Sequence, residues 1–320
     1  MPVLVGTSGW QYRHWRDAFY PRDVPQRQWL EYYAGKFGTV ENNGTFYRLP
    51  ARETFDQWRQ RTPGGFVMAV KASRYLTHVR RLRDPADPVR RMLDAFRGLD
   101  GKLGPVLLQL PPTLAADAAL LDDCLARFPA DVQVAVEPRH PSWWTDAIRD
   151  VLAAHDAPLC WADRRGQPVT PLWRTAGWGY MRFHEGTAEP WPRYGERALA
   201  SWAELIARTW PPDAPVSGGV PRAVTGALAI MVGGGPGDVA RAQPVLLVLG
   251  EPARQFTTGG LGSGHAMKAL NNVVAAATDT DAPAIALTGE RWAEALDRIG
   301  PAADHSRAHR AWWDEGLNRG

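Results

Sequence analysis

Residues 132–140 read VQVAVEPRH, a mostly apolar run that ends on Glu137, Arg139 and His140. Hydrophobicity at consecutive positions is typical of a strand that is buried on both faces. Parallel strands of a β/α barrel bring their carboxyl ends to one mouth, so charged residues that follow such strands converge on one site. This stretch therefore predicts a buried parallel strand and a place for chemistry at its end.

The same arrangement recurs over about two thirds of the chain. Seven short apolar runs bounded by Gly, Pro or Asp predict strands over residues 3–6, 39–42, 66–71, 106–110, 132–137, 158–163 and 179–184. Helical spacing of apolar residues predicts helices over residues 27–36, 51–61, 88–99, 114–127, 144–154 and 196–209. Strand starts recur every 21 to 40 residues, the period of a strand–helix unit. Seven units predict an α/β fold of the TIM-barrel type, with a doubly wound sheet as the alternative.

The pattern changes after residue 209, where an eighth strand is expected. Glycine and proline become frequent, and the eighth strand is atypical or missing, although residues 227–232 could form a strand. Residues 241–249 and 290–299 read as helices. We therefore predict a β/α barrel domain over residues 1–212, a different segment over 213–278, and a partly helical tail over 279–320.

Composition places the chain among soluble globular proteins, with 45% hydrophobic and 22% charged residues in 320. Two cysteines cannot form a disulfide framework, which favours a reducing compartment. The amino terminus lacks the basic start and long apolar run of a signal peptide, and no segment is apolar enough to span a bilayer. We expect a cytoplasmic protein without a membrane partner; the sequence leaves its oligomeric state open.

Charge is mildly basic, at +3 with a pI near 9.0. Between Lys71 and Lys102 there are nine Lys or Arg residues against four Asp or Glu. One interpretation is a solvated, arginine-rich face; the other is a surface that attracts anions or nucleic acid. Both interpretations stay open at this point.

Three carboxylates, Glu41, Glu137 and Asp163, end predicted strands. At a barrel mouth such groups can act as general acid, general base or metal ligand, and Glu137 is our first candidate. His184 and His78 are candidate proton carriers. Carboxylates with histidine would also suit a divalent cation, with Mg²⁺ or Mn²⁺ favoured by oxygen-rich sites and Zn²⁺ by histidine-rich ones.

Three cations, Lys71, Arg139 and Arg182, follow strands at equivalent heights. They could neutralise the carboxylates, since buried charges must be paired. Alternatively the arginines could fork onto a phosphate or carboxylate, with Lys71 as a point charge or as a base with a lowered pKa. Other strand-end polar and aromatic residues are further candidates for substrate binding: His140, Asn42, Gln109, Trp10 and Tyr12.

Several motifs together resemble the YecE-like family, a domain of unknown function. They are GTSGWQY at 6–12, FYP at 19–21, ENNGTFYRLP at 41–50, VK at 70–71 with TH at 77–78, LLQLPP at 107–112, VEPRHPSW at 136–143 and YMRFH at 180–184. The resemblance covers about residues 1–212 and implies a TIM-barrel type of fold, but no reaction. Two departures are the absent closing strand and Glu185, which stands where the family commonly has glycine.

Residues 213–278 resemble the 3-hydroxyisobutyrate dehydrogenase family, through DAPVSGG at 213–219, AIMVGG at 229–234 and GSGHAMKALNN at 262–272. The resemblance implies substrate-carboxylate binding by Ser217, Gly218 and Gly219, and roles in hydride transfer for Lys268 and Asn272. That family needs an amino-terminal Rossmann fingerprint, which does not open this chain. We therefore expect no NAD(P) binding and interpret the segment as a fragment in a chimeric carboxyl terminus.

The sequence as a whole predicts a barrel protein whose strand-end site takes a small anionic ligand that bears phosphate or sugar, or a nucleic acid. Hydrolysis or isomerisation, with or without a divalent metal, is the expected reaction type. Two alternatives stay open. One is an NAD(P)-dependent hydroxyacid dehydrogenase fragment; the other is a nucleic-acid-binding module that uses the basic residues of 71–102.

Overall fold

The computed structural model describes residues 3–17, 19–165, 167–185, 187, 194, 196–210 and 228–232, all of which belong to one unit of the chain, residues 1–249. Nine strands are present in these residues: β1 Val3–Thr7, β2 Thr39–Asn42, β3 Val67–Lys71, β4 Leu103–Gln109, β5 Val134–Glu137, β6 Trp161–Arg164, β7 Gln167–Pro168, β8 Gly179–Glu185 and β9 Leu228–Val232. Seven α-helices accompany them: α1 Trp29–Ala34, α2 Gly44–Tyr47, α3 Arg52–Gln60, α4 Ala86–Phe96, α5 Ala118–Leu125, α6 Asp146–Ala154 and α7 Glu196–Thr209. Among the described helices, none is long and apolar enough to cross a membrane.

The strands form two hydrogen-bonded sheets. One has the order β2-β3-β4-β5 with parallel neighbours throughout. The other has the order β1-β9-β8-β6-β7, parallel except for the short antiparallel pair β6-β7. The chain therefore has a mixed α/β fold that is built mainly from parallel strands, as the continuous apolar runs predict.

Two contacts join the edges of these sheets. An isolated parallel bridge pairs Val136 of β5 with Leu159, just before β6. On the other side β1 approaches β2 so closely that a Cβ atom on Gly6 would lie 2.2 Å from the carbonyl oxygen of Thr39. Only glycine permits this approach, because no side chain separates the two backbones.

Gly6→Ala is expected to lower the free energy of unfolding by about 1–3 kcal/mol, because the new methyl group must push β1 away from β2. Gly64→Ala is the matched control, since nothing lies within 4 Å of a Cβ atom built there. Urea unfolding of the two variants beside the parent measures the difference. Equal midpoints for both variants would contradict the close contact of β1 with β2.

A strand does occupy the position in which the sequence predicts an atypical or missing one. β9 pairs in parallel with β1 on one side and with β8 on the other, over five residues each. It comes from the segment that resembles the dehydrogenase family, not from the barrel-like part of the sequence. The predictions for residues 241–249 and 290–299 lie outside the described residues, as do those for the segment after residue 232.

All seven sequence-predicted strands are present, and β2 and α7 have the predicted bounds. The helix predicted over 114–127 begins later, at Ala118, because Asp117 caps it by accepting a hydrogen bond from the Leu120 backbone N–H. Several short elements were not predicted, among them β7, α2 and a π-helical turn over Tyr75–Val79. Each is too short to show a periodic spacing of apolar residues.

Candidate functional site

An apolar layer lies beneath the polar strand ends and contains residues from both sheets. Its members are Ala69, Leu107, Ala135, Cys160, Ala176, Trp178 and Tyr180, all buried. Four of them precede a candidate site residue by two positions, so the strand period of two places both on the same side of the sheet. The residues above them are Lys71, Gln109, Glu137 and Arg182. The candidate site thus rests on a packed floor.

Arg182 of β8 is the centre of the site. Its Nη1 atom donates to Glu137 Oε2 at 2.7 Å, and its Nη2 atom donates to Glu41 Oε1 at 3.0 Å. Burial by itself would lower the pKa of the Arg182 guanidinium, but Glu137 and Glu41 raise it above its ordinary value. One buried cation therefore holds two buried carboxylates, from β2 and β5.

Glu41 has two further hydrogen-bond donors. The Ser8 hydroxyl donates to Oε1 at 2.9 Å, and the Tyr180 hydroxyl donates to Oε2 at 2.7 Å. Burial and the nearby Glu41 charge raise the pKa of Tyr180 well above its usual range, so this hydroxyl stays protonated. Neither partner was predicted as a site residue. Alternation along β8 could have found Tyr180, because it precedes Arg182 by two.

Glu137 collects four donors. Besides Arg182, the Gln109 amide donates to Oε2 at 2.8 Å, and Arg139 Nη2 donates to Oε1 at 3.0 Å. His184 Nε2 lies 3.5 Å from the same Oε1. Burial alone would raise the pKa of Glu137, but Arg182, His184 and Arg139 together hold it well below its ordinary value. Glu137 is therefore an ionised, fully bonded carboxylate in the folded protein.

Lys71 ends β3 and is buried, with 9% of its surface exposed. Its ammonium lies 4.3 Å from the centroid of the Phe46 ring, and no carboxylate of the described residues is within ion-pair distance. The Thr45 hydroxyl donates to its carbonyl oxygen at 2.6 Å and so fixes the strand end. Burial, followed by the charge of Arg182, lowers the pKa of Lys71 to about 8.

His78 lies in the π-helical turn and packs against the Phe46 ring. The two rings meet edge to face, with centroids 4.9 Å apart. Its Nδ1 atom is 2.9 Å from the Thr77 hydroxyl. Burial, then the charges of Lys71, Arg74 and Arg139, lower the pKa of His78. The imidazole is therefore neutral near pH 7 and close enough to Lys71 to sense its charge.

Asp163, the third carboxylate predicted from the sequence, ends β6 and is buried. Its Oδ2 atom accepts a hydrogen bond from the Tyr194 hydroxyl at 2.5 Å. A role for this carboxylate in acid–base chemistry stays a prediction.

Four of the predicted binding residues have local structural partners. Asn42 accepts from the Gly44 N–H and so shapes the turn into α2. His140 accepts from the Ser142 N–H and caps the 3₁₀ turn over Pro141–Trp143. Trp10 is buried edge to face against Trp58. The Tyr12 hydroxyl donates to the Ser8 carbonyl oxygen. These contacts give each of the four residues a role in the local structure. Binding roles for them stay predictions.

The two carboxylates suit the arginine better than they suit a metal ion. Glu41 and Glu137 already accept hydrogen bonds on both oxygens. Within the described part of the chain, no group of three or more His, Cys, Asp or Glu residues is arranged to hold a metal. We therefore derive no step that uses the Mg²⁺, Mn²⁺ or Zn²⁺ that the sequence allowed for.

Many positive charges of the basic segment 71–102 are neutralised by ion pairs within the segment. Four of its arginines form ion pairs with aspartates of the same segment: Arg80 with Asp84, Arg90 with Asp87 and Asp94, Arg91 with Asp87, and Arg97 with Asp94. Nucleic-acid binding by this segment stays a prediction. The five residues that the dehydrogenase resemblance implies, Ser217, Gly218, Gly219, Lys268 and Asn272, lie outside the described residues.

Comparison with known proteins identifies the family of the chain. Residues 4–219 match the family described as "Protein of unknown function DUF72". The chain belongs to this family. The match covers the residues that supply every strand end of the candidate site, and it confirms the family resemblance that the sequence motifs indicated.

Individual DUF72 relatives agree with this. The chain is 29% identical to the "UPF0759 protein YunF" of Bacillus subtilis over 152 residues, which cover 45% of this chain and 52% of that protein. The fold is similar to a DUF72 protein of Thermotoga maritima, with a TM-score of 0.59 at 24% identity over 73% of this chain and 92% of that one. A DUF72 protein of Enterococcus faecalis gives 0.64 at 17% identity, over 81% and 100%. These structures show the shared fold.

A second, shorter similarity follows the DUF72 match. Residues 209–260 match the family described as "NAD binding domain of 6-phosphogluconate dehydrogenase". Sixty-six residues are 47% identical to the "Probable 3-hydroxyisobutyrate dehydrogenase" of Mycobacterium tuberculosis, which is 20% of this chain and 21% of that protein. The chain thus spans about half the length of YunF and a fifth of the dehydrogenase.

Proposed function

We propose that this DUF72 protein is a closed β/α barrel whose strand-end site binds a small anionic molecule and transforms it by hydrolysis or isomerisation. Closure is supported by the contacts that link the two sheets at both edges. It is also supported by Arg182, which belongs to one sheet and bonds to Glu41 and Glu137 of the other. We place the cytoplasm as its compartment, in keeping with the two buried free cysteines.

The charge balance of the site carries this proposal. Three cations, Lys71, Arg139 and Arg182, surround two carboxylates, and the carboxylates are bound to the arginines. Lys71 is left with an aromatic ring as its partner. A desolvated ammonium without a counter-ion is costly, and an anionic ligand would supply the missing charge. Arg139, whose side chain is 39% exposed, can reach such a ligand from the rim.

The arrangement also suggests how a reaction would proceed. Arg182 would position Glu41 and Glu137 and keep the site electropositive, and would not itself contact the ligand. Lys71 in its neutral form would take up a proton, as would the neutral His78 imidazole. His184 lies 3.5 Å from Glu137 and is partly exposed. It would bind or protonate the leaving group of the ligand.

Phosphate binding tests the proposal. We expect inorganic phosphate and ribose 5-phosphate to raise the melting temperature of the full chain, with an increase that continues as the logarithm of the ligand concentration above the Kd. Lys71→Met and Arg139→Gln should each weaken binding by about tenfold or more, the usual cost of losing one charge-assisted hydrogen bond. Calorimetric titration of each variant measures the change.

Arg127→Gln is the matched control, because Arg127 pairs with Asp123 on α5, away from the strand ends. Its affinity for phosphate should equal that of the parent. If all three variants bind phosphate as tightly as the parent protein, or if the parent protein does not bind phosphate, the proposed strand-end anion site is wrong. A short single-stranded oligonucleotide that binds with a steep salt dependence unaffected by Lys71→Met would instead favour the nucleic-acid interpretation.

A further inference from the structure

The chain uses lysine rarely. Only Lys36, Lys71, Lys102 and Lys268 occur among 37 basic residues. Arginine supplies nearly every positive charge in this chain. A lysine at a buried strand end therefore suggests a chemical function that arginine cannot perform. What distinguishes an amine from a guanidinium is that it can lose its proton and attack carbon.

The two other described lysines have evident structural contacts. The Lys102 ammonium donates to the carbonyl oxygens of Arg59 and Thr62, both at 2.5 Å, and ties the end of α3 to the chain before β4. Lys36 is partly exposed and lies 5.6 Å from the Tyr32 ring centroid. Lys71 differs from both, because only 9% of its surface is exposed and no acceptor or carboxylate among the described residues pairs with its ammonium, which lies against the Phe46 ring.

We propose that the Lys71 amine is a nucleophile that forms an imine with the carbonyl carbon of an anionic aldehyde, ketone or keto acid. The inference rests on the proposed anion site and adds the class of substrate to it. Arg139 would hold the anionic group, which leaves the carbonyl to meet the amine. The Phe46 ring lies beside the amine, with its centroid 4.3 Å from Nζ.

The step is balanced without a further reactant. The neutral Nζ atom attacks the carbonyl carbon and forms a C–N bond, while the electron pair of the C=O double bond moves to oxygen. That oxygen takes up two protons, one from the amine nitrogen and one from the solvent, and leaves as water when the C–O bond breaks; the other amine proton stays on nitrogen. Nitrogen shares its remaining lone pair to form the C=N bond, and a protonated C=N then draws electrons from the neighbouring carbon, which eases isomerisation at that carbon.

The electrostatic surroundings of Lys71 favour its neutral form. The charged groups that act on it come from β8, β2, β5 and the π-helical turn: Arg182, Glu41, Glu137, Arg139 and the titratable His78. Burial is the largest influence; together with Arg182 and Arg139, and against Glu41 and Glu137, which raise it, burial lowers the pKa of Lys71 to about 8. At pH 8 about half of the amine would be neutral, against well under about 1% for an ordinary lysine with a pKa near 10.4.

Reductive trapping of the full-length protein tests the inference. The protein is treated at pH 8 with pyruvate and cyanoborohydride, which converts an imine into a stable secondary amine, and the labelled peptides are counted by mass spectrometry. We expect Lys71 to be labelled at least about tenfold faster than Lys36, which serves as the internal reference within each molecule. The Lys71 rate should level off above pH 8.

Two variants accompany the measurement. Lys71→Arg, which has no nucleophilic amine, should lose the fast label, whereas Lys36→Arg should keep it. Equal labelling of Lys71 and Lys36 in the parent protein overturns the inference and needs no variant to fold. In that case phosphate titration of the same preparation still decides the anion site separately.

Acetaldehyde, which carries no charge, separates the two proposals further. If the ratio of Lys71 to Lys36 labelling is higher with pyruvate than with acetaldehyde, both the nucleophile and the anion site are supported. If acetaldehyde gives the same high ratio, the nucleophile is supported and the anion site fails.

Discussion

Arg182→Met is expected to lower the free energy of unfolding by about 3–5 kcal/mol, because it leaves two buried carboxylates without their shared cation. A loss of this size is a large share of the about 5–15 kcal/mol that stabilises a typical domain. Chemical denaturation followed by tryptophan fluorescence measures it, with several buried tryptophans such as Trp143 and Trp178 as reporters.

Arg127→Met provides the matched control. It removes an arginine from the exposed ion pair with Asp123, which should cost no more than about 1 kcal/mol. Adding Glu137→Gln to Arg182→Met should recover part of the loss, because one unpaired charge disappears and the two residues are coupled. Similar losses for Arg182→Met and Arg127→Met would contradict the central role of Arg182.

The pH dependence of the same variant has a definite sign. In the parent protein the pKa of Glu137 lies well below its ordinary value of 4.5, so the stability it contributes is present above pH 4.5 and is lost as the pH falls. Without Arg182 the pKa of the buried carboxyls should rise instead. Arg182→Met should therefore come closer to the parent in stability at acid pH and fall further behind at neutral pH. A constant difference across this range would count against the argument.

Ile230→Pro is expected to abolish cooperative folding or to lower the free energy of unfolding by about 3 kcal/mol or more. β9 has a hydrogen-bonded neighbour on each side, so every interior N–H of the strand points toward one of them. Proline removes one such donor and its ring obstructs the pairing, which exposes the edges of β1 and β8 to aggregation. Calorimetry and size-exclusion chromatography measure the two outcomes.

Arg52→Pro is the proline control. Arg52 is the first residue of α3, where an N–H makes no helical hydrogen bond and proline is well tolerated. The preceding Ala51 has φ −67° and ψ 157°, a conformation that a following proline prefers. Arg52→Pro should therefore melt within a few degrees of the parent. If Ile230→Pro does the same, β9 does not complete the sheet.

Sequence alone was enough to locate the strands, because both-face burial leaves a continuous apolar run that can be recognised locally. It also located the charged strand ends, since Glu41, Glu137 and Arg182 stand where those runs stop. Which of them pair could not be predicted. The choice depends on how strands far apart in the chain are arranged around the interior, and no local pattern encodes that.

Other residues show where a local signal existed but was interpreted differently. His140 and Asn42 were predicted to bind substrate, yet each bonds to a backbone N–H two residues further on. Short polar side chains next to turns commonly make such bonds, so these two residues also have a local structural role, and their binding roles stay predictions. Ser8 was not predicted as a site residue, yet its hydroxyl donates a hydrogen bond to Glu41 across the site.

The hydrogen bonds of Arg182 have a consequence for how the chain folds. They join residues separated by 45 and 141 positions in the sequence, and such distant partners meet late because a long loop must close first. While the chain is being synthesised, Glu41 and Glu137 leave the ribosome well before Arg182 does. The nascent amino-terminal part therefore has to remain open and hydrated at these two carboxylates. The hydrogen bonds around Arg182 can form only once the arginine has been synthesised, so the proposed ligand site would be absent from an incomplete chain.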